Sequence, residues 1–137
     1  MPRTHIALPV SNLDQSVAFY SRFLGTPPLR QIGGYAQFLV EDPALNLALT
    51  EDPQTHVLPG HFGIEVDELN EVASTLERAQ AAGLATEFEP NSLCCHARQE
   101  KFWVRDPDGH RWEVFWVQER FMSASAIADI DLGCCHA

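Results

Sequence analysis

At 137 residues the chain has the size of one ordinary domain, large enough to bury about two thirds of its unfolded surface without disulfide or metal staples. A formal charge of −10, from 9 Lys and Arg against 19 Asp and Glu, argues against nucleic-acid backbones and anionic membrane surfaces as partners. No apolar run reaches the roughly 18 residues of a membrane span, and MPRTHIALPV lacks a secretory core, so a cytoplasmic protein with reduced thiols is expected.

Residues 4–10 alternate as a strand, with His5, Ala7 and Pro9 on one face and Ile6, Leu8 and Val10 on the other. A helix follows, capped by Ser11, with Leu13, Val17, Tyr20 and Leu24 as its apolar stripe. Gly25 stops it and Pro27-Pro28 prevents its return. Strands are expected at 29–33, 35–40 and 45–50, with Asp42-Pro43 turning the chain before the last. The programme then restarts. Residues 61–66 read as a strand. Asp67 caps a helix whose stripe is Leu69, Val72, Leu76 and Ala79, and Gly83 ends it. Strands at 85–89, 101–104 and 111–117 complete the second copy, the last two joined by the turn Asp106-Pro107-Asp108-Gly109.

The expected fold class is therefore α+β: one domain over residues 1–118, built from two βαβββ modules at 3–52 and 58–118. Residues 119–137 are expected to form a short helix and a tail carrying Cys134, Cys135 and His136. Such a Cys/His tract could collect soft ions or do nothing.

Duplication puts His5 and His61 at equivalent points, each six residues before its helix cap. Packed about a pseudo-two-fold axis, the modules would bring both imidazoles together. Glu113 lies in the last strand, within RWEVFWV, where a lone charge is costly to bury unless paired or bound to metal. The matching position in the first copy is Leu47 or Leu49, neither of which can bind metal. Two histidines and one carboxylate with a missing fourth ligand suit an open-sided divalent metal, Fe(II) where oxygen chemistry follows. Zn(II) uses the same set in hydrolytic sites, and nickel, cobalt, manganese or cadmium could substitute. Against this stands a plain structural reading, in which a strand-start His packs and Glu113 faces water. His56, His96, His110 and His136 fall in loops or the tail and read as solvated.

Cys94 and Cys95 are adjacent in a polar, loop-like segment at 90–100, where an intra-pair disulfide would be strained. They are either buried small residues or a paired thiol site for a soft centre. Lys101, which opens the next strand, is either a solvated surface lysine or a candidate catalytic group stabilising negative charge on a bound oxygen or thiolate.

The paired modules, His5, His61 and DPDGHRWEVF with Glu113 resemble the vicinal oxygen chelate superfamily, which includes glyoxalase I, bleomycin-resistance proteins and extradiol dioxygenases. The resemblance implies that the modules form an incomplete mixed-sheet barrel around a metal cavity. The segment NSLCCHARQEKFWVRDPDGHRWEVFWV is similar to the arsenic–carbon lyases and cadmium-induced proteins of this superfamily, although His96 stands where an aromatic such as Tyr is expected. That similarity implies Fe(II)- and dioxygen-dependent cleavage of the C–As bond of trivalent organoarsenicals such as methylarsenite. His5, His61 and Glu113 would hold iron, Cys94 and Cys95 would hold arsenic, and the segment 90–100 would move as a lid. Competing readings are thiol-based sequestration of cadmium or arsenic and glyoxalase-like or ring-cleaving chemistry. One chain contains both modules, so a monomer or a homodimer would serve.

Overall fold

The computed structural model describes residues 2–94 and 97–120, with the backbone alone described at 91–94, 97, 98, 119 and 120. The element order is β1 (Thr4–Val10), α1 (Leu13–Leu24), β2 (Arg30–Ile32), β3 (Tyr35–Val40), β4 (Leu45–Glu51), β5 (Phe62–Glu65), α2 (Leu69–Ala81), β6 (Glu87–Cys94), β7 (Ala97–Arg105) and β8 (Arg111–Arg120). This is the expected α+β chain of two βαβββ modules. Each module forms its own mixed four-stranded sheet, in the orders β1-β4-β3-β2 and β5-β8-β7-β6. The repeat extends to pairing: β1 runs parallel to β4, and β5 parallel to β8. No helix among the described residues is long and apolar enough to cross a membrane.

The chain divides into two compact units: Met1–Val57 with Asp106–His110, and Leu58–Arg105 with Arg111–Ala137. In the first, α1 covers one face of its sheet. Leu13, Phe19, Tyr20 and Phe23 are buried, as are Leu8, Val10, Phe38, Leu47 and Leu49. The stripe is centred one residue earlier than expected, on Ser16 and Phe23 rather than Val17 and Leu24. The cap also differs. Asn12, not Ser11, accepts from the Gln15 N–H at 3.0 Å. Ser11 instead donates its backbone N–H to the Asp108 carboxylate, and Leu13 N–H donates to Glu51. Acidic groups thus meet the orphan amides and the positive end of α1. Gly25, at φ 73, ends the helix as expected.

The turn grouped with this unit is held by one buried carboxylate. Asp106 Oδ1 accepts from the backbone N–H groups of Asp108 at 3.0 Å and His110 at 2.8 Å. Its Oδ2 accepts from the Tyr20 hydroxyl at 2.7 Å and the His110 Nδ1 at 2.9 Å. His110 is therefore a buried turn residue, which corrects the expectation that it is solvated. Tyr20→Phe removes a hydrogen bond to a charged acceptor, so a loss of about 1.5–3 kcal/mol is expected in urea denaturation. Unchanged stability would remove this bond from the account of the turn.

In the second unit, Glu68 rather than Asp67 is the cap of α2, and Glu71 reaches back to the N–H groups of Glu68 at 2.8 Å and Asp67 at 3.0 Å. Val72 and Ala79 are buried, whereas Leu69, expected on the same stripe, is 44% exposed. The largest departure is at 90–100. Its described residues, 90–94 and 97–100, are strand: β6 and β7 are antiparallel, with pairs that include Ser92 with Gln99 and Cys94 with Ala97. A register shift between Glu89 and Ser92 accommodates Pro90, which cannot donate to a ladder.

Candidate metal centre

The second unit places its chemistry on one face of its sheet. Glu113 on β8 lies opposite Gly63 on β5 and opposite Trp103 on β7. Lys101, two residues before Trp103, shares that face because side chains alternate along a strand. Glu113 is 6% exposed and Lys101 0%. Two buried charges are tolerable here because they meet: Lys101 Nζ donates to Glu113 Oε2 at 3.1 Å. The ammonium also lies 5.5 Å from the Trp103 ring centre and 5.9 Å from that of Phe115, a placement that favours a cation. The reading of Lys101 as a solvated surface residue is thereby corrected.

His61 directly precedes β5. Its Nε2 lies 3.6 Å from Glu113 Oε1, beyond hydrogen-bond length. Its Nδ1 is buried with no hydrogen-bond partner among the described residues. The ring meets Trp103 edge-on, with centres 5.1 Å apart. The Arg111 guanidinium also lies over Trp103, 4.0 Å from the ring centre. Glu113 thus turns one oxygen to an ammonium and the other to an imidazole.

His5 belongs to the first unit, on β1 opposite Asn46. Its Nδ1 lies 3.0 Å from the Asn46 carbonyl oxygen. A carbonyl only accepts, so Nδ1 carries the hydrogen and Nε2 of the neutral ring keeps its lone pair. Metal-binding histidines commonly orient their second nitrogen in this way. Among the described residues no three His, Cys, Asp or Glu side chains gather into one ligand cluster. The second unit by itself supplies the His61–Glu113 pair. The donor chemistry of the second unit fits a divalent metal: a buried carboxylate oxygen beside an imidazole, and a buried ring nitrogen without a hydrogen-bond partner among the described residues.

Register also corrects the missing fourth ligand. Glu113 pairs with Gly63, two residues past His61, and the residue paired two past His5, at Ala7, is Ala48. Leu47 and Leu49 pair with Ile6 and Leu8 and are fully buried, so they lie on the opposite face from His5. The position that register relates to Glu113 is Ala48, whose methyl group cannot bind metal.

Of the expected thiols, Cys94 ends β6, with its backbone alone described. Cys95 and the tail residues Cys134, Cys135 and His136 lie outside the described residues. Trp103 and Gly63 went unnoticed in the sequence. The period-two relation of Lys101 and Trp103 in KFWV was a usable signal for the first. Gly63 gives none without knowledge of its partner strand.

Comparison with known proteins agrees with this architecture. The Glyoxalase/Bleomycin resistance protein/Dioxygenase superfamily profile matches residues 3–114. The cadmium-induced protein CadI of Mycobacterium tuberculosis is 43% identical over 117 residues, covering 85% of this chain and 77% of that protein. A trivalent organoarsenical cleaving enzyme of Thermomonospora curvata is 37% identical over 136 residues, covering 98% of this chain and 88% of that enzyme. The crystal structure of a glyoxalase/bleomycin resistance protein/dioxygenase from Alicyclobacillus acidocaldarius has a TM-score of 0.66 at 19% identity, covering 86% of this chain and 92% of its own, a likeness of fold alone. With most of its length matched by the profile and a relative above two-fifths identity, the chain belongs to the glyoxalase/bleomycin resistance protein/dioxygenase superfamily.

Proposed function

We propose that the protein is an Fe(II)- and dioxygen-dependent lyase that cleaves the C–As bond of trivalent organoarsenicals such as methylarsenite. The observation that carries this reading is the buried Glu113, with Oε1 turned to His61 and Oε2 held by Lys101. It is supported by relatives named trivalent organoarsenical cleaving enzymes at 37% and 40% identity. His5, His61 and Glu113 are the proposed metal ligands, and Cys94 and Cys95 the proposed arsenic ligands, in one domain made of both modules.

Iron(II), when bound, supplies the redox-active centre that dioxygen chemistry needs. The chain's own residues hold and enclose the reactants. Two adjacent thiols exchange with the two hydroxyls of methylarsenite, release two waters, and leave the methyl group free, as the preference of soft centres for thiolate favours. Cys94 ends β6, and β7 carries Lys101 to the buried carboxylate. The overall reaction closes without a further reductant. Methylarsenite and dioxygen give arsenite and formaldehyde; the As–C bond breaks, carbon loses four electrons, both oxygen atoms gain them, and arsenic stays trivalent. Lys101, as a buried cation, is placed to favour negative charge that develops near Glu113.

The test is anaerobic reconstitution with Fe(II), addition of methylarsenite, admission of oxygen and measurement of arsenite. Release that needs both iron and oxygen is expected. Tight arsenical or cadmium binding without product would replace the lyase with a sequestering protein, and catechol cleavage would replace it with a ring-cleaving enzyme. The double variant Cys94→Ala/Cys95→Ala should keep its iron and lose turnover by at least about 100-fold, because the substrate is no longer positioned. Full activity in that variant would remove the thiols from the mechanism.

A further inference from the structure

We propose that Lys101 and Gly63 are positioning residues that hold Glu113 to ligation through a single oxygen, an inference that rests on the metal reading above. A carboxylate free to rotate can offer both oxygens to one cation, and Glu113 is not free. Oε2 accepts the Lys101 ammonium at 3.1 Å, while Oε1 lies 3.6 Å from His61 Nε2. Lys101 is fully buried, with its ammonium beside the Trp103 and Phe115 rings, so it is withheld from water as an alternative partner. Releasing Oε2 would strand a buried cation.

Gly63 closes the opposite side. A Cβ at this position would lie 3.0 Å from Glu113 Cγ, 3.1 Å from Phe115 Cε1 and 3.3 Å from Glu113 Oε1. Gly63 is absent from the glycines with positive φ, which are Gly25, Gly33, Gly60, Gly83 and Gly109. Its backbone therefore places no demand for glycine; the space against Glu113 does. Any side chain here would push the carboxylate off the line between Lys101 and His61.

Single-oxygen ligation leaves a coordination position that a two-oxygen carboxylate would fill. It also weakens the hold on the metal, because a fixed ammonium repels a divalent cation. The arrangement gives up affinity for an open position, the feature a centre taking both substrate and dioxygen needs.

The experiment titrates metal-free protein anaerobically with Co(II), whose visible absorption reports coordination number, and reads the dissociation constant by calorimetry. Lys101→Met should bind Co(II) roughly tenfold more tightly and with weaker absorption per cobalt, as Glu113 turns to ligate through both oxygens. Gly63→Ala should bind roughly tenfold more weakly with an altered spectrum. If both variants keep the wild-type spectrum and dissociation constant, the positioning role is overturned. If Lys101→Met does not fold, Gly63→Ala alone decides. A wild-type protein that takes up no Co(II) would fail the metal reading itself, whereas wild-type binding with unmoved variants fails only the positioning.

Discussion

Glu113→Ala should lower the stability of the metal-free protein by about 3–5 kcal/mol, because it leaves the Lys101 ammonium buried without its counter-charge. For a chain of 137 residues this is a fall in melting temperature of roughly 10 °C or more. The measurement is thermal denaturation in the presence of a chelator, so that metal loss does not enter. The double variant Glu113→Leu/Lys101→Met removes both charges and keeps apolar volume, and it should recover most of the loss. Neither protein should retain iron or release arsenite. A Glu113→Ala protein that melts with the wild type would show that the ion pair is not what makes Lys101 tolerable in the core.

Asp106→Ala should be the most damaging single change in the first unit. Four donors converge on this carboxylate: the Tyr20 hydroxyl, the His110 ring, and the backbone N–H groups of Asp108 and His110. Truncation takes the acceptor from all of them at a site only 4% exposed, and a cost of about 3–5 kcal/mol follows from buried polar groups deprived of this partner. Asp106→Asn should lose less, since its carbonyl can still serve the two backbone amides. Urea denaturation of the three proteins gives the order, and an alanine variant as stable as wild type would show that other contacts hold the turn. The consequence reaches the second unit through the chain itself: the turn joins β7 and β8, which carry Lys101 and Glu113.

The duplication was legible because it shows in element order, in the spacing of His5 and His61 from their helices, and in the shared Asp-Pro turns. The burial of Glu113 was legible too, as one charge among the apolar residues of RWEVFWV. What escaped depended on partners distant in the chain. His110 resembles a loop residue until Tyr20, 86 positions from Asp106, is known to share its carboxylate. Lys101 resembles a surface lysine until its register against β8 brings Glu113 to it. The paired strands β6 and β7 were hidden because the polar composition of 90–100 suggested a loop, where ladder pairing prevailed over local preference. The helix caps were missed by one residue, since Ser11 and Asn12, or Asp67 and Glu68, are neighbours of similar chemistry and the backbone angle chooses between them.

The alanine at position 48 bears on how such a chain evolves. Codons for alanine and glutamate can differ only in their middle base, so a point mutation separates this methyl from a second acidic side chain at the position related by register to Glu113. Under the ligand set proposed above, descendants of one gene duplication can move between three and four protein donors without rebuilding a strand or a loop. Each such step would trade room for reactants against grip on the ion, which lets closely related sequences diverge in chemistry while their backbones stay superimposable.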